Sequence, residues 1–200
     1  AEFACPEGVT EGGNFASTVG RDRGTMVRLD GKRGATVVEF PITLISCYEL
    51  GHTPTGLAMP LGFLAQAGYR PRALDLAVET FDAERVAGAR LVAIHVPMHT
   101  ALRLGARVAE RVRLVNPDAH LCFFGLYAQL NGDYLLEHCA DSVIGGEPET
   151  ALVALADALA RCADRGVAVR EGDAEIPGVR RRGERPLPAG LAGGGPARNR

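Results

Sequence analysis

The residues of this sequence that could do chemistry follow short apolar segments. Glu49 and His52 come after the apolar residues 36–46, and His95 lies near the end of the apolar residues 91–96. Glycines accompany them, and glycine lets the backbone approach a ligand closely or turn with φ above zero. Loops of α/β proteins are often polar and glycine-rich without a ligand, so the set indicates a site better than any one member. Its other members are Tyr48, His99, Tyr127, Asn131, Glu147 and the glycines at positions 51, 56, 125, 145 and 146.

A metal site is one use of these residue types. His95 and His99 are four residues apart, a spacing that places two imidazoles on one helix face, and Glu49 and His52 could add ligands. Pro97 lies between the two histidines, at the corner between a strand and a helix, so we do not expect helical geometry there. His95 is better explained as a hydrogen-bonded histidine of the core or of a pocket wall.

A nucleophilic site is a second use. Cys47 could attack with His52 as its base, although a cysteine that ends an apolar strand is more often a small buried hydrophobe. The sequence contains no G-x-S-x-G, no P-loop motif and no G-x-G-x-x-G after its first strand. That strand is also not followed by the acidic cluster with which a receiver-like or nucleotide-binding signalling module holds Mg²⁺. A binding crevice for a large, mostly apolar ligand remains, and a small α/β enzyme with a metal or Cys/His site is the alternative.

The elements that position these residues alternate regularly. Each apolar, β-branched segment is followed by a loop and then by residues with helical spacing, and Gly68 closes the first helix. Thr100 is a suitable N-cap for the longest helix, and the Asn116–Pro117 pair ends it. The predicted strand and helix pairs are 36–46 with 56–67, 72–78 with 83–88, 91–96 with 101–115, 120–124 with 133–139, and 142–144 with 149–163.

Five such units predict a flavodoxin-like, doubly wound α/β fold: a five-stranded parallel sheet in the order 2-1-3-4-5, with helices on both faces. The loops after the first and third strands then face each other, and the loops after the fourth and fifth strands flank them. We expect this domain over residues 36–165. Residues 1–35 are predicted to be a disordered or weakly ordered extension, and residues 166–200 a linker rich in Gly, Pro and Arg.

Composition narrows the class of protein. The net charge is −2 at pH 7, which favours neither a nucleic-acid nor a membrane partner, and we expect the basic cluster around residues 180–185 to be solvated. Five cysteines without C-x-x-C or zinc spacings favour a reducing, cytoplasmic setting. No apolar stretch reaches the roughly 20 residues needed to cross a bilayer.

Four motifs in a fixed order resemble a known family. They are residues 45–58 (ISCYELGHTPTGLA), 96–101 (VPMHTA), 116–128 (NPDAHLCFFGLYA) and 141–149 (DSVIGGEPE). Together they resemble the N-terminal cobalamin-binding domain of B12-dependent radical SAM proteins, and most closely the group named for a CUAEP or CCAEP tail. The resemblance spans about residues 37–163.

The resemblance implies a cobalamin whose ring lies over the carboxyl edge of the sheet and whose nucleotide tail enters beside the first and third strands. Residues 48–56 would border the ring, residues 95–100 would line the tail slot, and residues 146–149 resemble the family's G-E-x-E turn. The chain would bind without catalysing on its own. The implied cofactor-binding residues are Tyr48, Glu49, Leu50, Gly51, His52, Gly56, His95, Pro97, Met98, His99, Thr100, Gly125, Leu126, Tyr127, Gly145, Gly146 and Glu147.

Three departures from the family pattern shape these expectations. Phe124, Gly125 and Leu126 stand where many B12 domains have Gly-Gly, so a bulkier side chain at 124 affects the depth of the slot. The D-x-H-x-x-G signature is absent, and His52 is therefore expected to border the cofactor without ligating cobalt. No C-x-x-x-C-x-x-C is present, so a 4Fe-4S cluster and S-adenosylmethionine would belong to a radical SAM domain downstream in the parent enzyme, which the resemblance associates with methyl transfer.

Overall fold

The computed structural model describes residues 27–29, 36–50, 52–164 and 175–183. Strands and helices alternate over this part of the chain. The strands are β1 (Val27–Leu29), β2 (Thr36–Val38), β3 (Ile42–Ser46), β4 (Arg72–Asp75), β5 (Leu91–His95), β6 (His120–Phe124), β7 (Ser142–Ile144) and β8 (Val179–Arg181). The helices are α1 (Thr55–Gln66), α2 (Ala83–Ala87), α3 (His99–Val115), α4 (Leu126–Leu130), α5 (Gly132–His138) and α6 (Glu149–Asp164).

One sheet organises the domain, with the strand order β4-β3-β5-β6-β7-β8. The first five of these strands are parallel to their neighbours, and they have the predicted order 2-1-3-4-5 when counted along the chain. The flavodoxin-like, doubly wound α/β fold is therefore confirmed. Strands β1 and β2 form a separate antiparallel pair. Residues 27–29 of the predicted disordered extension are therefore a strand, and the predicted first strand, 36–46, divides into β2 and β3.

The two faces of the sheet bury different helices. Side chains alternate between the faces of a strand, so Leu44 of β3 packs beneath α1 and α6 whereas Ile45 packs against α2 to α5. Leu57 and Leu152 extend the first cluster, and Val108 extends the second. Because helices cover both faces of the sheet, the two ends of its strands remain uncovered. We call the end at which the parallel strands begin the amino edge, and the end at which they finish the carboxyl edge.

Several predicted details are wrong. The sheet has a sixth strand, β8, which pairs antiparallel with β7 within the segment expected to be linker. The arginines there do not form a solvated cluster: Arg181 is buried, and Nη2 of Arg180 donates to Oδ1 of Asp133. Pairing with β8 covers backbone groups that β7 would otherwise expose at the edge of the sheet, a cause that a three-residue pattern does not reveal.

Two helix predictions also need correction. Residues 125–131, expected to be a loop, contain helix α4, so Leu126 and Tyr127 are helical. Helix α3 begins at His99, with Met98 in extended backbone before it and no side-chain cap, so Thr100 is not the N-cap. The predicted closing positions are confirmed, because Gly68 is left-handed with a φ of 93° and α3 ends just before Asn116.

Several predictions concern residues that the structure does not describe. Residues 1–26, 30–35, 165–174 and 184–200 lie outside the described residues, and so does most of the predicted N-terminal extension and linker. Within the described part, no helix combines the length and the apolar character that a membrane crossing requires.

Candidate functional site at the carboxyl edge

Strands β3, β5, β6 and β7 end side by side, and the predicted site residues follow them. Of those after β3, Tyr48 and Glu49 are half-buried and Leu50 and His52 are exposed, while Gly51 lies outside the described residues. His95 is the last residue of β5. Pro97 and Met98 are half-buried beyond it, His99 and Thr100 are exposed in the first turn of α3, and Gly145, Gly146 and Glu147 follow β7.

Glu49 and His95 are the one pair of predicted site residues that the structure joins by a hydrogen bond between side chains within its described part. Nδ1 of His95 donates to Oε1 of Glu49 at 2.8 Å, and each side chain is about 12% exposed. Burial lowers the pKa of His95, while the hydrogen bond and the charge of Glu49 act in the opposite direction. The ring is therefore neutral at pH 7. The prediction that His95 is a hydrogen-bonded histidine is confirmed.

Two glycines make room for this imidazole. A Cβ at Gly56, in the first turn of α1, would stand 2.0 Å from Cε1 of His95. A Cβ at Gly125 would stand 3.1 Å from Cδ2 of the same ring, and the φ of 105° there also favours glycine. The ring of Phe124 lies 5.0 Å from that of His95 at 30°. His95 thus fills a crevice between α1, the end of β5 and the loop after β6.

A buried serine lies in the same row. Ser46, His95 and Phe124 are aligned in register at the ends of β3, β5 and β6, and alternation places all three on the face that α1 and α6 cover. Oγ of Ser46 is buried and has no hydrogen-bond partner among the described residues. A buried hydroxyl of this kind costs free energy, which makes it a candidate contact for a ligand.

The rim above this crevice is apolar. Leu50 is 63% exposed and Leu126 is 60% exposed, and the half-buried rings of Tyr48 and Tyr127 stand next to them in sequence. Only β5 separates the ends of β3 and β6, so these ends are about 10 Å apart from the usual strand spacing. Leu50 has a φ of 53°, an uncommon conformation for a bulky residue. Its backbone is therefore held in a strained conformation at the rim.

The loop after β7 brings in a residue that the sequence did not identify. A Cβ at Gly145 would stand 2.6 Å from Cδ of Gln129, so this side chain lies against the glycine backbone. Gly146 is left-handed, with a φ of 67°. Gln129 was missed because residues 126–130 were assigned to a loop. The spacing of Leu126 and Leu130 is the signal that would have revealed the helix.

The alternative enzymatic site is not supported. No group of three or more His, Cys, Asp and Glu side chains suited to a metal exists among the described residues, and His52 and His99 are exposed, whereas Glu49 and His95 are half-buried. Cys47 is buried, and burial with the nearby charge of Asp75 raises the pKa of its thiol to about 12. A thiol with so high a pKa is a poor nucleophile at neutral pH.

A cavity of about 570 Å³ lies at the amino edge instead. Arg113, Asp141 and Arg182 of its lining are engaged within the protein: Nη2 of Arg113 donates to Oδ2 of Asp141 at 2.5 Å, and Arg182 donates to the carbonyl oxygen of Ala140. These groups are satisfied without a ligand, so the carboxyl edge remains the candidate site.

Comparisons with known proteins describe the fold and no more. No family model and no curated protein matches the sequence. Among solved structures, the chain is similar to a CheY-like response regulator receiver domain from Methanospirillum hungatei, with 17% identity, a TM-score of 0.45 and coverage of 64% of this chain and 98% of that one. It is also similar to a flavodoxin-like domain from Synechococcus, with 11% identity, a TM-score of 0.38 and coverage of 62% and 91%.

Proposed function

We propose that this chain is a corrinoid-binding domain that takes cobalamin, or a close relative of it, over the carboxyl edge of its sheet. The observation that carries the proposal is the apolar rim of Leu50 and Leu126 on either side of the end of β5. Ligands of open α/β sheets bind at this edge, at the switch point between strands such as β3 and β5. The four sequence motifs, which resemble those of B12-dependent radical SAM proteins, support the choice of ligand.

The described residues fit the ring of such a ligand. Leu50 and Leu126 offer exposed apolar surface, and Tyr48 and Tyr127 offer rings with a polar tip. The hydroxyl of Ser46, which has no hydrogen-bond partner among the described residues, lies at the end of β3 on the face that α1 and α6 cover. A large, flat and mostly apolar macrocycle with polar substituents matches this lining, since ligand sites combine apolar walls with few polar groups.

A bound corrinoid would supply the chemistry of its cobalt ion, and this chain would supply the surface that holds the ring and keeps water from one side of it. We propose that the parent protein is a radical SAM enzyme whose 4Fe-4S cluster and S-adenosylmethionine are held by residues other than these. A reading frame that continues past Arg200 with C-x-x-x-C-x-x-C would support this parentage.

Binding is tested by incubating the purified chain with hydroxocobalamin or, in parallel, with aquahydroxycobinamide, which lacks the nucleotide tail. After desalting, we expect at least one of the two corrinoids to stay with the protein at near-equal stoichiometry, seen by its absorption. Loss of colour from both samples would overturn the proposal.

Two matched leucine variants locate the site. Leu126→Asp places a charge on the proposed rim, and Leu114→Asp places one at the amino edge, where Leu114 is 85% exposed. Neither leucine is buried, so both variants should fold. We expect only Leu126→Asp to weaken corrinoid retention, by tenfold or more. Equal retention by the two variants would move the site away from the carboxyl edge.

A further inference from the structure

The crevice beneath the rim is where a substituent of an edge-bound ligand would descend. It lies between α1 and the ends of β3 and β5, on the face that α1 and α6 cover. Gly56 forms one wall of the crevice, and Gly125 forms another. An aromatic ring that enters such a crevice needs contact distances of about 3.5–4.0 Å to the wall on each side.

In this chain the crevice is already occupied by an aromatic ring of the protein. The imidazole of His95 lies against both glycines, and its ring packs in a tilted arrangement next to that of Phe124. Its Nδ1 is held by Glu49 at 2.8 Å. The ring therefore has a hydrogen bond at one end and packing on its sides, and a second flat ring could enter only if His95 left this position.

We propose that His95, positioned by Glu49, makes this site selective for corrinoids whose nucleotide tail does not enter the crevice. This inference rests on the proposed function, because it concerns which corrinoid the same edge accepts. A tail-less corrinoid needs only the apolar rim. A corrinoid with an inserted nucleotide base competes with the imidazole for its place and loses the contacts that the imidazole makes with Glu49 and Phe124.

The neutral state of the imidazole agrees with this role. Burial lowers the pKa of His95 despite the opposing effect of Glu49, so at pH 7 the crevice holds an uncharged ring in an apolar setting. Displacing the ring would leave the carboxylate of Glu49, which is about 12% exposed, without its donor. Such loss of a buried hydrogen-bond partner is costly, which favours the closed crevice.

The test compares the affinities of the full chain for aquahydroxycobinamide and hydroxocobalamin by absorption titration. We expect the wild type to bind the tail-less ligand at least tenfold more tightly. His95→Gly removes the ring and should strengthen hydroxocobalamin binding at least tenfold, while cobinamide binding changes less than twofold. Glu49→Gln, which keeps the size of the side chain, should shift the preference in the same direction by a smaller factor.

The outcomes separate the two proposals. Binding of both corrinoids with equal affinity, or an unchanged preference in a folded His95→Gly protein, would overturn the role of His95 and leave the corrinoid site standing. Retention of neither corrinoid by the wild type would overturn the proposed function, and this inference with it. A matched variant, His138→Gly, removes an exposed imidazole at the amino edge and should leave the preference between the two ligands unchanged.

Discussion

The amino edge and the carboxyl edge of the sheet differ in their hydrogen bonding and in their backbone strain. At the amino edge, Arg113 and Asp141 connect several segments of the chain by hydrogen bonds. Arg113 donates to the carbonyl oxygens of Pro117 and Ala119 and to the carboxylate of Asp141, and that carboxylate also accepts the backbone N–H of Leu121. Hydrogen bonds to charged groups are worth more than neutral ones. This edge therefore holds helices and strands together.

At the carboxyl edge, local preferences are left unmet. Ser46 has a buried hydroxyl without a described partner, Leu50 is left-handed, and the ring of His95 is pressed against Gly56. Strain and unmatched polar groups persist only where the surrounding structure imposes them, and they concentrate at functional sites. The contrast agrees with the proposal that a ligand binds at the carboxyl edge, whereas the hydrogen bonds at the amino edge stabilise the fold.

The largest expected effect comes from two glycines of the same helix. Gly56→Ala should lower the free energy of unfolding by about 2–3 kcal/mol, because overpacking a filled site forces its neighbours to move and the new Cβ would stand 2.0 Å from the ring of His95. Gly62→Ala meets no atom within 4 Å and should raise that free energy by about 0.8–1.0 kcal/mol, the helix preference for alanine. Urea denaturation measures both.

A double variant identifies the cause. Removing the ring with His95→Ala should abolish most of the cost of Gly56→Ala, so the two substitutions would be strongly non-additive. If Gly56→Ala were as stabilising as Gly62→Ala, the crevice would not be filled by His95 and the distinction between the edges would lose its main support.

An acid titration compares a histidine from each edge. His120, at the start of β6, has its pKa lowered from 6.5 to about 4, chiefly by burial; Asp141 opposes this effect, and Arg113 and Arg181 add to it. Below pH 6.5, His120 is protonated in the unfolded chain but stays neutral in the folded chain until the pH approaches 4. His120 therefore destabilises the folded state as the pH falls from 6.5 towards 4, by about 2 kcal/mol between pH 7 and pH 4.5.

His120→Gln should flatten this part of the pH dependence of unfolding. His95→Gln at the carboxyl edge should flatten it less, because the hydrogen bond and charge of Glu49 offset part of the burial of His95. Denaturation midpoints from pH 7 to pH 4.5 measure both slopes. An equal change in the two variants would mean that the paired carboxylate gives the carboxyl edge no protection from acid.

The sequence was sufficient for the parts of the fold that are local. Each parallel strand is an apolar run with a turn and a helix beyond it, and that pattern repeats five times in the sheet order observed. The sequence was insufficient for β8, because three residues with two arginines carry no hydrophobic period. That strand forms by backbone pairing with β7, which depends on an edge that exists only after the sheet has assembled.

The candidate site, like the fold, could be predicted from the sequence only in part. The positions at which the predicted strands end indicated which loops lie together, since parallel strands end at one edge of a sheet. The contact between Glu49 and His95 joins residues 46 positions apart and depends on side-chain rotamers, so spacing could not predict it. The four-residue spacing of His95 and His99 suggested a metal instead, and the strand end between them removes that geometry.

The smallest expected effect separates strain from simple exposure. The left-handed backbone costs a side chain such as that of Leu50 about 1–2 kcal/mol, and asparagine adopts it more readily. Leu50→Asn should therefore raise the free energy of unfolding by about 0.5 kcal/mol while weakening corrinoid binding fivefold or more. Leu114→Asn, at the exposed end of α3, should cost a few tenths of a kcal/mol and leave binding unchanged.

Urea denaturation and absorption titration measure the two quantities. A loss of stability in Leu50→Asn that equals the loss in Leu114→Asn would show that the rim holds no strain, and the two edges would then differ only in their hydrogen bonding.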